Sequence, residues 1–409
     1  MSENKSLPLS GVKVVELGTY VAVPSAARML AEYGAEVIKV EPPNGDSWRV
    51  DCVSQQVTIG DYNAPLFAVQ NSGKKFISLN TQTEAGREAL FKLLAEADVF
   101  VTNVRMKSLQ KVGLDYESLK DKFPKLVYYH FSGFGPVGPD APRPGFDVAA
   151  FWARSGAMAD WVTEGDFPIR SSTAFGDLAC GSLILNGILM ALINQRATGK
   201  GTYAHSSLMS SSLWYNSTGV IASQEPYGKK YPEDPLRPGN PFFSPYRCQD
   251  GEWIFLAAIG NYEKNKGRIA ELLGLSEVFA DERAASLISL RETDYIAEVV
   301  TRMNEAFLTK TADEWCEICR QNDLVYEKLR HYREVATDPQ ALANNYLDEV
   351  EFKSGNKTRM PAAPITFPEL GRLGTQNVGG VGENTDEILA AVGYTPEQIA
   401  ALRESKDVK

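Results

Sequence analysis

Histidine is scarce in this chain: His130, His205 and His331 are the only three in 409 residues. None of them stands in H-E-x-x-H or beside a G-x-S-x-G, and there is no Walker loop, so hydrolase triads, metalloprotease sites and nucleotide-triphosphate cradles are excluded by their usual patterns. His130 follows Tyr129 in a strand-like run and reads as structural. Five cysteines, Cys52, Cys180, Cys248, Cys316 and Cys319, are odd in number and scattered, which fits reduced thiols and not a disulfide framework. Cys316 and Cys319 form C-x-x-C inside TADEWCEICRQ, an amphipathic helical pattern with no second pair, so no metal site is expected. No long Lys/Arg run exists and the net charge is −10, which excludes a nucleic-acid surface. The N-terminus, MSENKSLPLS, carries no apolar signal segment. The longest apolar run, around 178 to 193, is broken by Gly181, Ser182, Asn186 and Gly187 and reads as too short to span a bilayer. A cytoplasmic protein with no membrane partner is the expectation.

What is present is a strongly alternating pattern. VKVVEL (12 to 17) is a β-branched run, PSAARMLAEYG (24 to 34) reads as a helix ending in Gly, and AEVIKVE (35 to 41) is a second strand, together the size of one βαβ unit. The alternation continues through KKFISLN (74 to 80), a helix over 83 to 97, DVFVTN (98 to 103), a short helix before Gly113, and KLVYYHFS (125 to 132). This implies an α/β fold with an open, mostly parallel Rossmann-like sheet. After RATGKGTYAHSSLM, a turn and strand, and a Ser-rich helical stretch to about 224, the Pro-rich EPYGKKYPEDPLRPGNPFFSP marks a boundary. PYRCQDGEWIFLAAI, with a hairpin turn at Gln249-Asp250-Gly251, then leads into helices over 265 to 273, 294 to 307 and 311 to 320. The expected domains are 1 to 224, large; 225 to 345, smaller and α+β; and 346 to 409, a linker with two capped helices returning to the large domain.

Two features carry the functional question. Gly133, Gly135 and Gly138 spell G-x-G-x-x-G after a strand, but Pro136, Pro139, Pro142 and Pro144 prevent the helix that a dinucleotide fingerprint must open, so this is a loop. Glu41, at the end of the second strand, would otherwise suit a ribose. The other feature is Asp177, the single charge in SSTAFGDLACGSLILNGILM. An Asp before an apolar helical run reads as an N-cap. The same placement, with Gly176 leaving room for another molecule, also describes a poised nucleophile.

The motifs then converge. LSGVKVVEL, GAEVIKVEPPNGDSWR, NSGKKFISLN, ADVFVTNVR with GLDYESL, FSGFGPVGP, PGFD, FGDLACG, TGKGTYAHSSL, RCQDGEWIFLA and GENTDEILAAVGY, in that order, resemble the family III CoA-transferases, the CaiB/BaiF family. NSGKK, TNVR, PGFD with FWARSGAM, and DEWCEICRQNDLVYEKL resemble its branch from amino-acid-fermenting anaerobes that moves CoA onto 2-hydroxy acids. The resemblance implies that Asp177 is the nucleophile and forms an anhydride and then a CoA thioester. It implies an acyl-CoA and a carboxylic acid as substrates, with no permanently bound cofactor, and a homodimer of interlocked rings. It places CoA along Val21, Ala22, Leu79, Asn80, Asn103, Val104, Arg105 and Lys111, with Arg143 a further cation; solvated surface is the plain alternative for Arg105, Lys111 and Arg143. Pro42 stands where members carry a basic residue, and GNPFF (239 to 243) replaces the glycine loop over the nucleophile of formyl-CoA transferase. The fold also holds 2-methylacyl-CoA racemases, which use a histidine where this chain has Phe146. A racemase, or a non-catalytic CoA-binding paralogue, is the alternative. The aromatics Phe146, Phe151, Trp152, Trp161, Trp214 and Tyr215 are candidates for an apolar side-chain pocket or for plain core.

Overall fold

A computed structural model of the chain describes residues 6–51, 55, 57, 64–258, 260 and 262–409, so Cys52 lies outside the described residues. The chain divides into two compact units, one made of Met1–Ala157, Arg170–Ile221 and Pro339–Lys409, the other of Met158–Ile169 and Ala222–Asp338.

The first unit is built on a six-stranded sheet: β1 (Lys13–Leu17), β2 (Glu36–Glu41), β3 (Lys75–Ser78), β4 (Val99–Thr102), β5 (Val127–Ser132) and β6 (Tyr203–Ser207). The spatial order is β3-β2-β1-β4-β5-β6 and every pairing is parallel. The order reverses between β1 and β4, which creates the switch point where open α/β sheets bind ligands. Alternation along β5 shows how the sheet is covered. Tyr128 points into a core of Leu90, Leu93, Phe100, Ile388 and Leu389, while Tyr129 lies against the opposite helix.

That opposite helix, Phe175–Thr198, is 24 residues long and apolar enough to span a bilayer by composition. The sequence expectation that this run is too short therefore falls, because Gly181 and Gly187 do not break the helix. They are instead where it meets its neighbours. A side chain at Gly181 would collide with Ser25 of the helix α1 (Ala22–Glu32), and one at Gly187 would stand 2.5 Å from the Tyr129 ring. Both glycines thus allow close backbone packing on the sheet side.

Beneath the β1–α1 turn lies a fully paired ionic cluster. Lys39 Nζ sits 2.9 Å from Glu16, 3.0 Å from Asp46 and 2.8 Å from the Gly18 carbonyl, and Lys74 Nζ reaches Glu16 at 2.6 Å and the Asn71 side chain at 2.8 Å. Burial works against the Lys39 charge, but Glu16 and Asp46 outweigh it and hold the ammonium on. C-terminal residues close the outer edge of the sheet: Asn384 N–H bonds to the Phe76 carbonyl and Lys409 N–H to Ser78 Oγ.

The second unit holds an antiparallel sheet of β7 (Phe243–Arg247), β8 (Trp253–Ala257) and β9 (Tyr326–Lys328). The expected hairpin is present, closed by Cys248 N–H to the Glu252 carbonyl. Asp250 at its tip also accepts from the Ala312 N–H at 3.2 Å and so helps cap a helix 62 residues further along the chain. That helix, Ala312–Gln321, carries a Thr311/Glu314 capping box and buries Cys319 against Phe307 and Trp315, where burial pushes the thiol up to about 12.

Replacing Lys39 with methionine leaves Glu16 and Asp46 buried without their shared counter-ion, and the expected cost is about 3–5 kcal/mol of stability. Urea denaturation checks this; wild-type stability in Lys39→Met would contradict it.

Candidate active site

A cavity of about 750 Å3 opens at the switch point. Its walls are the β1–α1 turn from Thr19 to Ala22, residues 103 to 108 after β4, residues 130 to 133 at the end of β5, the loop to Phe146, and Asp177 with Leu208. Its size suits a substantial small-molecule ligand.

Side chains at the strand ends lock this mouth. Asn103 joins β4 to β1 by accepting from the Thr19 N–H at 2.9 Å and donating to the Thr19 carbonyl at 2.9 Å. Thr102 Oγ1 donates to the Leu17 carbonyl. His130 is buried, which lowers its pKa, and its Nε2 meets the Val104 carbonyl at 3.0 Å. A carbonyl can only accept, so Nε2 carries the proton and the ring serves as a neutral strut. The Gly-rich loop forms no helix, and its base closes where Gly133 and Gly145 meet backbone to backbone: a Cβ on Gly133 would stand 2.7 Å from Gly145 Cα. Tyr20 holds φ at 60°, a conformation that costs a bulky residue energy, and its ring meets Phe146 edge to face at 5.5 Å.

Asp177 is not the N-cap that its local sequence suggests. The helix begins at Phe175, after Ala174 in the left-handed region (φ 58°), so Asp177 lies inside the first turn and is half buried. The capping acceptor comes from elsewhere. Asp147, the first residue of a π-helical turn (Asp147–Ala153), takes the Gly176 N–H on its Oδ2 at 3.3 Å. Burial, and then the nearby Asp147 charge, push the Asp177 carboxyl up to about 8. Asp147 is itself pushed up to about 6 by burial, against the bonds it receives from the Gly176 and Asp177 N–H groups.

The structure brings Asp177 together with Val21, Ala22, Asn103, Val104, Arg105 and Arg143 on one cavity wall. Leu79, Asn80 and Lys111 are not part of it. Leu79 is buried in the core, Asn80 is bonded through its N–H to the Asp407 carbonyl, and Lys111 lies in the last turn of Met106–Val112. Glu41 is fully buried and paired with Arg49 at 3.1 Å, so no ribose could use it. Among the named aromatics only Phe146 lines the cavity; Phe151 and Trp152 are core, while Trp214 and Tyr215 are exposed. Sequence reasoning missed Tyr20, Lys107 and Asp147. Lys107 follows Arg105 by two residues at the same helix start, which was a usable signal, whereas the approach of Asp147 to residue 176 has no local signature.

The comparisons with known proteins bear on this geometry. The model of CoA-transferase family III matches residues 9–377. The chain belongs to that family. It is 36% identical over 401 residues, 98% of this chain and 99% of the other, to the (R)-2-hydroxy-4-methylpentanoate CoA-transferase of Clostridioides difficile. It is 35% identical over 407 residues, 99% of this chain and 98% of the other, to the cinnamoyl-CoA:phenyllactate CoA-transferase of Clostridium sporogenes. The crystal structure of a CaiB/BaiF family protein from Brucella suis superposes with a TM-score of 0.81 at 28% identity, covering 95% of this chain and all of that one. This member of family III is therefore a CoA-transferase.

In it, the raised Asp177 pKa has a stability consequence. A carboxyl whose folded pKa lies above its unfolded value, about 3.9, stabilises the fold below that value, and the benefit is lost as pH rises through about 8. Asp177→Asn, which never ionises, is expected to melt above wild type at pH 8.5, with the gap closing as the pH falls toward 4. Equal melting temperatures across that range would contradict the assignment of a buried, reluctantly ionised Asp177.

Proposed function

We propose that this enzyme moves CoA from an acyl-CoA thioester to a 2-hydroxy acid, with Asp177 as the nucleophile. The observation that carries the reading is that Asp177, at the start of a long helix, is the only carboxylate lining the cavity among the described residues and shares that lining with Arg105, Lys107 and Arg143. The helix N-terminus favours negative charge at that position.

An Asp177 oxygen attacks the thioester carbonyl carbon, the C–S bond breaks, and CoA leaves as the thiolate. The thiolate then attacks the aspartyl carbonyl of the mixed anhydride and releases the donor carboxylate, leaving an aspartyl-CoA thioester. The acceptor carboxylate runs both steps in reverse. Each step exchanges one activated acyl bond for another, so no ATP or metal is required. Arg105, Lys107 and Arg143 supply the positive wall that an acidic protein needs for an anionic substrate. Val21, Ala22, Asn103 and Val104 offer backbone and amide groups along the same wall. Leu79, Asn80 and Lys111 are not needed by this reading.

The acceptor class rests on similarity to the two clostridial relatives and on Tyr20 and Phe146, an aromatic pair beside the nucleophile that suits an apolar side chain. Phenylalanine at 146 cannot move a proton, which speaks against racemase chemistry. The same reading keeps a large catalytic domain, a smaller domain and a C-terminal return, with the compact units shifting the expected bounds so that 158 to 169 joins the smaller unit and the return begins at Pro339, and it assigns the protein to the cytoplasm with its soluble CoA substrates. The outer side of the long helix exposes Leu178, Met190 and Ile193, with Trp214 and Ile221 nearby, an apolar face that supports a homodimer, which we take to be interlocked.

Asp177→Asn is expected to fold and to lose transfer activity by several orders of magnitude, since an amide is a far weaker nucleophile; retention of more than a few per cent of the rate refutes the reading. A panel of lactate, 2-hydroxyisocaproate, phenyllactate, cinnamate, oxalate, succinate and carnitine with one acyl-CoA donor, read by mass of the new thioesters, is expected to favour the 2-hydroxy acids. A tenfold preference for oxalate, succinate or carnitine overturns the acceptor class alone. Sedimentation velocity is expected to show one dimeric species at all concentrations, and a reversible folded monomer would exclude interlocking.

A further inference from the structure

Asp147 is 6% exposed, its Oδ1 has no hydrogen-bond partner among the described residues, and its Oδ2 holds the Gly176 N–H. It occupies the place of an N-cap side chain from a segment 29 residues away. The contact is tight: a Cβ at Gly176 would collide with Asp147 Oδ1 and stand 2.5 Å from the Phe151 ring. The carboxyl of Asp147 therefore lies directly against the backbone of the turn that carries Asp177, in space that only a glycine at 176 leaves open.

We propose that Asp147 is a positioning residue for the transfer reaction: a second carboxylate that caps the nucleophile's helix from outside and is relieved of like-charge repulsion when Asp177 is acylated. The proposal rests on Asp177 being the nucleophile. When both carboxyls are ionised, the buried Asp147 anion raises the energy of the neighbouring Asp177 anion. In the first step a bond forms from Asp177 to the thioester carbon, the C–S bond breaks, and the electron pair leaves on the CoA sulfur. No proton moves. The pair falls from two negative charges to one, the other departing as thiolate, so repulsion present before attack is released on the way to the anhydride. The same repulsion, added to the larger effect of burial, delays ionisation of Asp177 to about pH 8.

The other groups around the pair do not share this role. Cys180, one turn along the helix, is buried, which pushes its thiol up to about 12, so it stays neutral. The Tyr215 phenol is bonded to the Ala179 carbonyl, Tyr129 to Ser206, and on α1 Arg28 is engaged by Glu32 and Thr375. Phe151, Trp152 and Phe175 pack beside the pair as rings. Arg105, Lys107, Arg143 and the neutral His130 share the cavity wall with Asp177, but no Lys, Arg or His forms an ion pair with either carboxylate among the described residues.

The test is the pH profile of kcat/KM for one acyl-CoA and one carboxylate in wild type, Asp147→Asn, Asp147→Ala and Asp177→Asn. Asparagine keeps a carbonyl oxygen for the Gly176 N–H and removes the charge. Asp147→Asn is expected to lower the midpoint of the acid limb by about one pH unit and to reduce the plateau rate about tenfold. Asp147→Ala is expected to show the same shift with a further loss of rate, because the cap is gone; should it fail to fold, Asp147→Asn carries the test by itself. An unmoved midpoint in Asp147→Asn, with Asp177→Asn inactive, overturns the role of Asp147 alone. Activity retained in Asp177→Asn overturns the nucleophile reading, and this proposal with it.

Discussion

The long helix begins at Phe175 because the next residue, Gly176, has no side chain to keep Asp147 and Phe151 away. That approach decides three things together. It supplies an acceptor to a helix start whose own cap residue, Ala174, has none. It sets a second, buried carboxyl near Asp177, and this raises the energy of the ionised pair. It also ties the π-helical turn, and with it Phe146 and the Gly133–Gly145 pinch at the base of the loop, to the helix that carries Asp177.

The rest of the site is a consequence of sheet order. Reversal between β1 and β4 leaves a gap at the strand ends, and the buried cluster of Glu16, Lys39 and Asp46 braces the turn on one side of it. Asp46 also accepts from the N–H of Tyr20 at 3.3 Å, so the strained aromatic residue at the cavity rim is held by the same network. A dinucleotide-type strand order is here combined with a first turn that lacks the glycines for a pyrophosphate. In place of a glycine cradle, the cavity is lined by the cationic side chains of Arg105, Lys107 and Arg143 and by the carboxylate of Asp177.

Much of this was legible because it is local. The strands, the helix ends at Gly113 and Thr395, the Asp250 hairpin and the isolation of Asp177 in an apolar run each follow from a few adjacent residues. What was not legible depends on distant pairs. The N-cap reading of Asp177 failed because the capping oxygen belongs to Asp147, and no spacing rule links 147 to 176. The apolar run was read as too short to span a bilayer because glycine and polar residues interrupt it, whereas the helix runs on through Gly181 and Gly187, where it packs against Ser25 and Tyr129. Tyr20 carried no signal, since a left-handed tyrosine is not a sequence pattern. The assignments of Leu79, Asn80 and Lys111 to CoA came from resemblance alone, and these residues lie in the core, at the edge of the sheet and at the far end of a helix, outside the cavity that holds Asp177.

The central claim is covalent chemistry at Asp177, and it can be read directly. The enzyme is incubated with an acyl-CoA and no acceptor, quenched with hydroxylamine and digested, and the peptide that contains Asp177 is sequenced by mass spectrometry. The account predicts an aspartyl hydroxamate at Asp177, formed only when acyl-CoA was present. Full transfer activity with Asp177 unmodified, or with the hydroxamate on a different carboxyl group, would contradict it.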